Sequence, residues 1–356
     1  MEGPALGPAY SLAGASPPKL TATQAKARDA IIAADRPENY ESIGCTCGTA
    51  AGDRLLSEVD RHGLVCRYVI CLGCGLIRLT PRWNEARYRQ FYETEYRVLY
   101  NASASSKATY ARDVAANRAT VDRATWIRRA AERNGAPARP RLVEIGAGGG
   151  WNLAQLPESW ARVGYDVDQE YLGIGRAAFR ADLRPGFVDE ALNEIESADI
   201  VLLSHVVEHL SCPSQILKTI ARRLRQGTLL LIEVPGIFSI HRKNLDVRSY
   251  LQNAHTFTYC APTLQNLCLE AGLEVLDLDE TARAVCRPGT ERAECVPVEH
   301  PGLAERIITY LRRCDVGYRQ YRRVKKVPLL GKYLAYGLKR TYFPAVGLAA
   351  TWSGKQ

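Results

Sequence analysis

Leu142-Val143-Glu144-Ile145-Gly146-Ala147-Gly148-Gly149-Gly150-Trp151 is an apolar, β-like run that carries an acid and then breaks into glycines, ahead of a segment able to start a helix. Strand, tight turn and helix N-terminus follow one another within ten residues. Glycine suits the turn because its backbone angles exclude most side chains, and because a ligand can then approach the bare main chain. The order Glu-x-Gly-x-Gly-x-Gly differs from the dinucleotide fingerprint Gly-x-Gly-x-x-Gly, and no Gly-Lys-Ser/Thr follows to grip a phosphate.

Downstream, apolar runs alternate with helical stretches, the pattern of a mostly parallel sheet. Residues 162–166 read as a second strand ending in Asp166, twenty residues past Gly146. A carboxylate there has two acceptor oxygens for a pair of ribose hydroxyls; Asp168 is less well placed. Residues 187–189 read as the end of a third strand. Residues 198–204 read as a fourth, nearly all apolar as a central parallel strand should be. His205-Val206-Val207-Glu208-His209-Leu210 comes directly after it, and a helical turn would put His205, Glu208 and His209 on one side. Residues 228–236 and 272–276 read as a fifth and a sixth strand, with Ala254-His255-Thr256-Phe257 between them.

From Glu144 to about residue 278 this succession resembles the Rossmann-like S-adenosylmethionine-dependent methyltransferases. The Ser-His-Val-Val-Glu-His-Leu, Glu-Val-Pro-Gly and Ala-His-Thr-Phe segments carry more of the likeness than the glycines do. The resemblance implies an α/β fold, a mostly parallel seven-stranded sheet with helices on both faces. It also implies that Glu144, Gly146, Ala147, Gly148, Gly150, Trp151, Asp166, Asp189 and Ser204 contact S-adenosylmethionine, although Asp189 reads equally well as a helix N-cap. His205 would line the methyl-transfer cleft. Glu208 and His209 either shape its wall or brace the loop as a pair. Because an acceptor oxygen or carbon gains from a base, His255 is the leading candidate and His205 the second, against a purely structural histidine. No Asn-Pro-Pro-Tyr-like segment follows the fourth strand, which counts against amino-group methylation of nucleobases.

Two cysteine pairs, Cys45-Thr46-Cys47-Gly48 and Cys71-Leu72-Gly73-Cys74-Gly75, flank a span able to make two strands. That is the layout of a zinc ribbon, with Cys45, Cys47, Cys71 and Cys74 as ligands of a structural Zn2+. The first pair is one residue shorter than Cys-x-x-Cys, so a metal-free knuckle stays open, as does Cys66 as a substitute ligand. From Cys71 to Tyr96 the chain resembles the N-terminal segment of bacterial methyltransferases of sugar and surface-glycan biosynthesis.

The chain has 356 residues, 46% of them hydrophobic, enough for one large α/β domain with attachments. Its eleven cysteines come with no secretory signal and suit a reducing, cytoplasmic setting, peripheral at the inner membrane face if the basic C-terminal segment meets lipid. No uncharged stretch is long enough to span a bilayer. The net charge is +9, and residues 303–340 alone hold eleven Lys/Arg against Glu305 and Asp315. That basic segment reads as a solvated helical appendage, as an anionic-lipid surface over 303–352, or as a nucleic-acid contact, with lipid ahead of nucleic acid. The expected organisation is a disordered tail and short helix (1–40), a zinc-ribbon-like module (41–82), a helical connector and lid (83–140), the cofactor domain (141–290) and a basic helical segment (291–356).

The function expected is methylation of a sugar or glycan precursor at oxygen or carbon. One rival is an RNA methyltransferase that uses the ribbon and the basic segment. The other is a non-catalytic binding protein with a degenerate pocket.

Overall fold

The computed structural model describes residues 3–16, 18–100, 114–243, 245–289 and 298–324. In chain order the strands are β1 (Tyr40–Glu41), β2 (Asp53–Val59), β3 (Val65–Cys71), β4 (Ile77–Leu79), β5 (Arg82–Trp83), β6 (Arg141–Ile145), β7 (Ala161–Asp166), β8 (Asp182–Pro185), β9 (Ile200–Ser204), β10 (Leu229–Glu233), β11 (Phe257–Thr258), β12 (Leu273–Leu278) and β13 (Arg283–Pro288). The chain forms two compact units. Among the described residues, the first holds those up to 100 with 235–263 and 298–324, and the second holds 114–234 and 264–289.

The second unit is built on a seven-stranded sheet of order β12-β13-β10-β9-β6-β7-β8. β10, β9, β6, β7 and β8 pair in parallel, while β13 runs antiparallel to both β10 and β12. The sequences Ile-Val-Leu-Leu-Ser of β9 and Leu-Leu-Leu-Ile-Glu of β10 are buried throughout, as central strands covered on both faces must be. The helix Arg118–Arg133 is capped by Asn117, whose Oδ1 accepts the Ala119 N–H at 2.9 Å. Ala124, Ile127, Ala130 and Ala131 join the core with Leu142, Leu202 and Leu231, and the small alanines let the helix lie close on the sheet. The sequence predicts a helix over 110–133 with Val114, Val121 and Ile127 on one face; Ile127 is buried, whereas Val121 is 43% exposed. Residues 110–113 of the expected helix lie outside the described residues.

The third strand stands earlier than the sequence suggests. β8 stops at Pro185, Gly186 takes φ +135°, and Val188–Ser197 is a helix. Asp189 is therefore neither a strand end nor the N-cap; it sits exposed in the first helical turn. Glu190 holds the helix entry instead, its Oε2 accepting the Phe187 N–H at 2.8 Å.

The first unit has a four-stranded antiparallel sheet, β11-β4-β3-β2, and a short β1–β5 pair. Its β11 comes from residues 235–263, which strand–helix alternation groups with the cofactor domain but which belong to this unit. Residues 3–16, expected as a disordered tail, are folded onto it. Ala5, Leu6 and Tyr10 are buried, the Ala5 N–H donates to the Leu55 carbonyl, and the Tyr10 hydroxyl donates to Asp315 Oδ1 at 2.9 Å. The helix Leu303–Val324 buries Leu303, Ala304, Ile307, Ile308, Leu311 and Cys314 at helical spacing, so its apolar stripe is core and not an appendage. Residues 325–352 of the expected lipid surface lie outside the described residues. Among the described residues no helix is long and apolar enough to cross a membrane.

Candidate functional site

Four adjacent parallel strands of the second unit, β10-β9-β6-β7, present polar groups at or near their carboxyl ends: Glu233, Ser204, Glu144 and Asp166. Ligands of open α/β sheets bind at this edge. The glycine turn rises from β6 and is tied to β7, because the Gly146 and Ala147 N–H groups both donate to the Tyr165 carbonyl, at 2.8 and 2.9 Å. Asp166 locks it further. Its Oδ2 accepts the Gly148 N–H at 2.7 Å and its Oδ1 accepts the Asp168 N–H at 2.8 Å.

At two of the glycines an added side chain would be both strained and crowded. Gly146 has φ +73° and a Cβ there would stand 2.4 Å from Val206 Cγ2; Gly148 has φ +54° and its Cβ would stand 2.5 Å from Trp151 Cη2. The Trp151 ring thus lies on the turn itself, edge-on to Tyr171 at 5.8 Å.

Glu144 is fully buried two residues before Gly146. Its Oε1 accepts from Asn152 Nδ2 at 2.6 Å, while Oε2 is buried with no hydrogen-bond partner. Burial pushes its carboxyl up to about 8, against the Asn152 hydrogen bond and the charge of Arg123.

Arg123 connects that acid to the next. It donates through Nη1 to Asn152 Oδ1 at 2.9 Å and through Nε to Glu233 Oε2. Glu233 Oε1 takes Nε and Nη2 of Arg283 at 3.0 and 2.8 Å, and Ser204 Oγ donates to Oε2 at 3.2 Å. Burial alone would raise the Glu233 carboxyl, but Arg123, His205 and Arg283 outweigh it and hold the group at about 2. The result is a buried chain Glu144–Asn152–Arg123–Glu233–Arg283 under the strand ends. The sequence reading missed Asn152, Arg123 and Arg283. Glu233 was visible in the Glu-Val-Pro-Gly segment, but Arg123 looked like one more basic residue on an amphipathic helix.

His205 follows Ser204 in the left-handed region, φ +56°, unusual for a residue with a side chain. Its N–H donates to the Glu233 carbonyl at 2.8 Å, and its Nδ1 lies 3.2 Å from Glu208 Oε1. Glu208 is buried, and His209 Nε2 lies 3.9 Å from the same oxygen, across the short 3-10 turn Val207–His209. The helical turn expected over 205–209 does not form, because His205 is left-handed and only Val207–His209 turns, but Glu208 still reaches back to His205. His255 is buried in the first unit, ahead of β11, where its N–H donates to the Gln252 carbonyl at 2.7 Å. The two histidines proposed for base catalysis thus belong to different units.

In the first unit Cys45, Cys47, Cys71 and Cys74 come together, all four sulfurs within 4.8 Å of one another. Cys45–Cys74 and Cys45–Cys47 stand at 3.4 Å and Cys47–Cys71 at 3.6 Å, far longer than a disulfide. Sulfurs sharing one zinc at about 2.3 Å stand ~3.8 Å apart in a tetrahedron, so the set fits that ion. The short first pair closes because the chain turns tightly, with the Gly48 N–H donating to the Cys45 carbonyl and φ +65° at Gly48. A hydrogen bond from Cys74 lowers the Cys45 thiol to about 5, whereas burial raises Cys47 to about 11. Cys66 is buried in the hydrophobic core and does not join the cluster.

Residues 115–278 match the family described as methyltransferase domain. That stretch, a little under half of the chain, is therefore similar to a methyltransferase domain. A ubiquinone biosynthesis O-methyltransferase of Caulobacter sp. (strain K31) is 34% identical over 116 residues, covering 28% of this chain and 44% of that protein. A Mycolicibacterium smegmatis protein described as "Probable S-adenosylmethionine-dependent methyltransferase" is 31% identical over 140 residues, covering 38% of this chain and 52% of that one. This chain spans about half the length of the curated relatives it matches. A solved SAM-dependent methyltransferase from Archaeoglobus fulgidus is 19% identical, with a TM-score of 0.37 over 45% of this chain and 73% of that one.

Proposed function

We propose that the protein is an S-adenosylmethionine-dependent methyltransferase that methylates a sugar or glycan precursor, with oxygen as the acceptor atom ahead of carbon. The observation that carries the cofactor half is the pairing of Asp166 with the Gly148 turn at the carboxyl end of the parallel sheet. Asp166 stands at the end of β7 with one oxygen on the glycine turn and the other on the Asp168 N–H, and a carboxylate with two acceptor oxygens suits a ribose diol. The orphaned Glu144 Oε2 offers an acceptor just before the turn. The O-methyltransferase names of the curated relatives favour oxygen. The sugar or glycan class rests on the resemblance of the cysteine-bearing segment.

When bound, S-adenosylmethionine supplies an electrophilic methyl on a sulfonium. Asp166 would orient the ribose, and Gly146, Ala147 and Gly148 would let the backbone approach the cofactor. Ser204 and His205, fixed by Glu233 and Glu208, would set the floor of the transfer cleft. In-line transfer depends on such positioning more than on covalent assistance. The acceptor hydroxyl loses its proton as the methyl arrives; His255 is the proposed base and His205 the second. Cys45, Cys47, Cys71 and Cys74 would hold a structural zinc, since four thiolates leave no open position for water.

Incubating the protein with S-adenosylmethionine and panels of nucleotide sugars, glycolipid precursors and RNA, and measuring S-adenosylhomocysteine, tests the proposal. Release with a sugar-bearing acceptor supports it. Release with RNA alone would replace the substrate class, and release with none would withdraw it.

A further inference from the structure

The turn between β2 and β3 is unusually well fixed. Asp60 Oδ1 accepts the N–H groups of His62 and Leu64 at 2.8 and 2.9 Å, and the Arg61 N–H donates to the Leu251 carbonyl at 2.8 Å. The Asn253 N–H adds a contact to Asp60 Oδ2 at 3.3 Å. Arg61 leaves this turn with its guanidinium 4.6 Å over the Tyr100 ring, and His62, 4% exposed, meets the same ring edge-on at 4.6 Å.

Both residues line a cavity of about 550 Å³ inside the first unit, together with Lys19, Arg248, Tyr318 and Arg322. Asp246 is the acid in its wall. It is engaged by the Arg248 N–H at 3.1 Å and by the Tyr318 hydroxyl. The Arg248 guanidinium is committed too, donating to the carbonyls of Ala9 and Ser16 and lying over Tyr10. Lys19, Arg61 and Arg322 are left. Among the described residues none of the three has a carboxylate within ion-pairing distance. Three unneutralised cations around one concavity concentrate positive potential there, and the contact with Tyr100 holds the planar Arg61 guanidinium ready for two-pronged hydrogen bonding to an oxyanion. A rigid turn and a buried histidine on the wall distinguish this from a scatter of surface lysines.

We propose that this cavity is a binding site for a phosphate-bearing ligand, a mono- or diphosphate group held chiefly by Arg61 with Lys19 and Arg322. The site is built from residues of the first unit alone and does not depend on the methyltransferase reading. The shared chemistry is the phosphate, whether it arrives on a small molecule or on a lipid headgroup.

The test is calorimetric titration of the full chain with inorganic pyrophosphate at low and high salt, alongside sedimentation with phosphatidic acid vesicles in phosphatidylcholine. One pyrophosphate per chain is expected, with affinity falling as salt rises, at least tenfold weaker in Arg61→Gln and several-fold weaker in Lys19→Gln. Asp166→Ala should bind as the parent does. Melting temperatures of the two basic-site variants near the parent's would exclude misfolding as the cause. Pyrophosphate binding lost in Arg61→Gln, with no vesicle binding, supports the site and assigns a free phosphate. Vesicle binding that is lost in Arg61→Gln and displaced by pyrophosphate supports it and assigns a headgroup. Binding of neither probe at low salt, or binding unchanged in both variants, overturns it.

Discussion

Glu233 carries a prediction that can be worked from its surroundings. Its side chain is 9% exposed and touches Arg123, Arg283 and Ser204, and its carboxyl is held at about 2. Unfolding returns that group to the ordinary value near 4.3. A folded value below the unfolded one means the ionised form is favoured by folding. The contribution is fully present above about pH 5 and is lost as pH falls toward 2. A difference of roughly 2.3 units amounts to about 3 kcal/mol at pH 7, of which about 2 kcal/mol is gone by pH 3. Glu233→Gln keeps the shape but loses the charge, leaving Arg123 and Arg283 without their counter-ion. Urea denaturation read by tryptophan fluorescence should show the variant about 3 kcal/mol less stable at pH 7, with the gap narrowing by about 2 kcal/mol at pH 3. Trp126, Trp151 and Trp160 report on this unit. A gap of the same size at both pH values would refute the reasoning, because the loss would then owe nothing to ionisation.

Other variants probe other parts of the account. Purified under reducing conditions, the protein should carry one zinc per chain by elemental analysis, and Cys74→Ser should lose it; a full-length chain with no zinc would leave the sulfur cluster metal-free. His205→Gly removes a side chain held at φ +56°, so thermal stability should hold or rise by up to about 1 kcal/mol while methyl transfer falls at least tenfold. Unchanged activity would take His205 out of the cleft. In Gly148→Ala the new Cβ meets the Trp151 ring at 2.5 Å in a left-handed conformation. It should cost about 1–2 kcal/mol in stability and shift the Trp151 fluorescence. An unperturbed spectrum would contradict the packing of that ring on the turn.

What the sequence revealed and what it hid follow from the range of the interactions involved. The parallel core was legible because Ile200 to Ser204 and Leu229 to Glu233 are short apolar runs with turn signals around them. The placement of Asp166 beside the glycine turn was legible because each closes an apolar run of its own, and the two runs pair as neighbouring parallel strands. β13 was hidden: Arg-Ala-Val-Cys-Arg-Pro has neither strict alternation nor a long apolar run, yet it inserts antiparallel between β10 and β12. The displaced third strand came from Phe187 and Val188, an apolar pair that begins a helix once Gly186 breaks the chain. The two-unit division was hidden for a different reason. Phe257 pairs with Arg78 and Tyr10 with Asp315, contacts that no local pattern encodes. The basic residues between 303 and 324 drew attention to charge, while the apolar stripe of the same helix was already committed to a core. The cysteine cluster was legible despite its short first pair because glycine permits the tight turn that closes it.

On the proposed function, the Gly148–Asp166 edge receives S-adenosylmethionine. Calorimetric titration of the full chain with S-adenosylmethionine tests it most directly, compared with Asp166→Ala of matched melting temperature. Two charge-assisted hydrogen bonds to a ribose diol are worth about 3 kcal/mol at the low end, so Asp166→Ala should bind roughly 100-fold more weakly than the parent, which should take up one molecule per chain. No binding by the parent, or equal affinity in the two proteins, would contradict the claim.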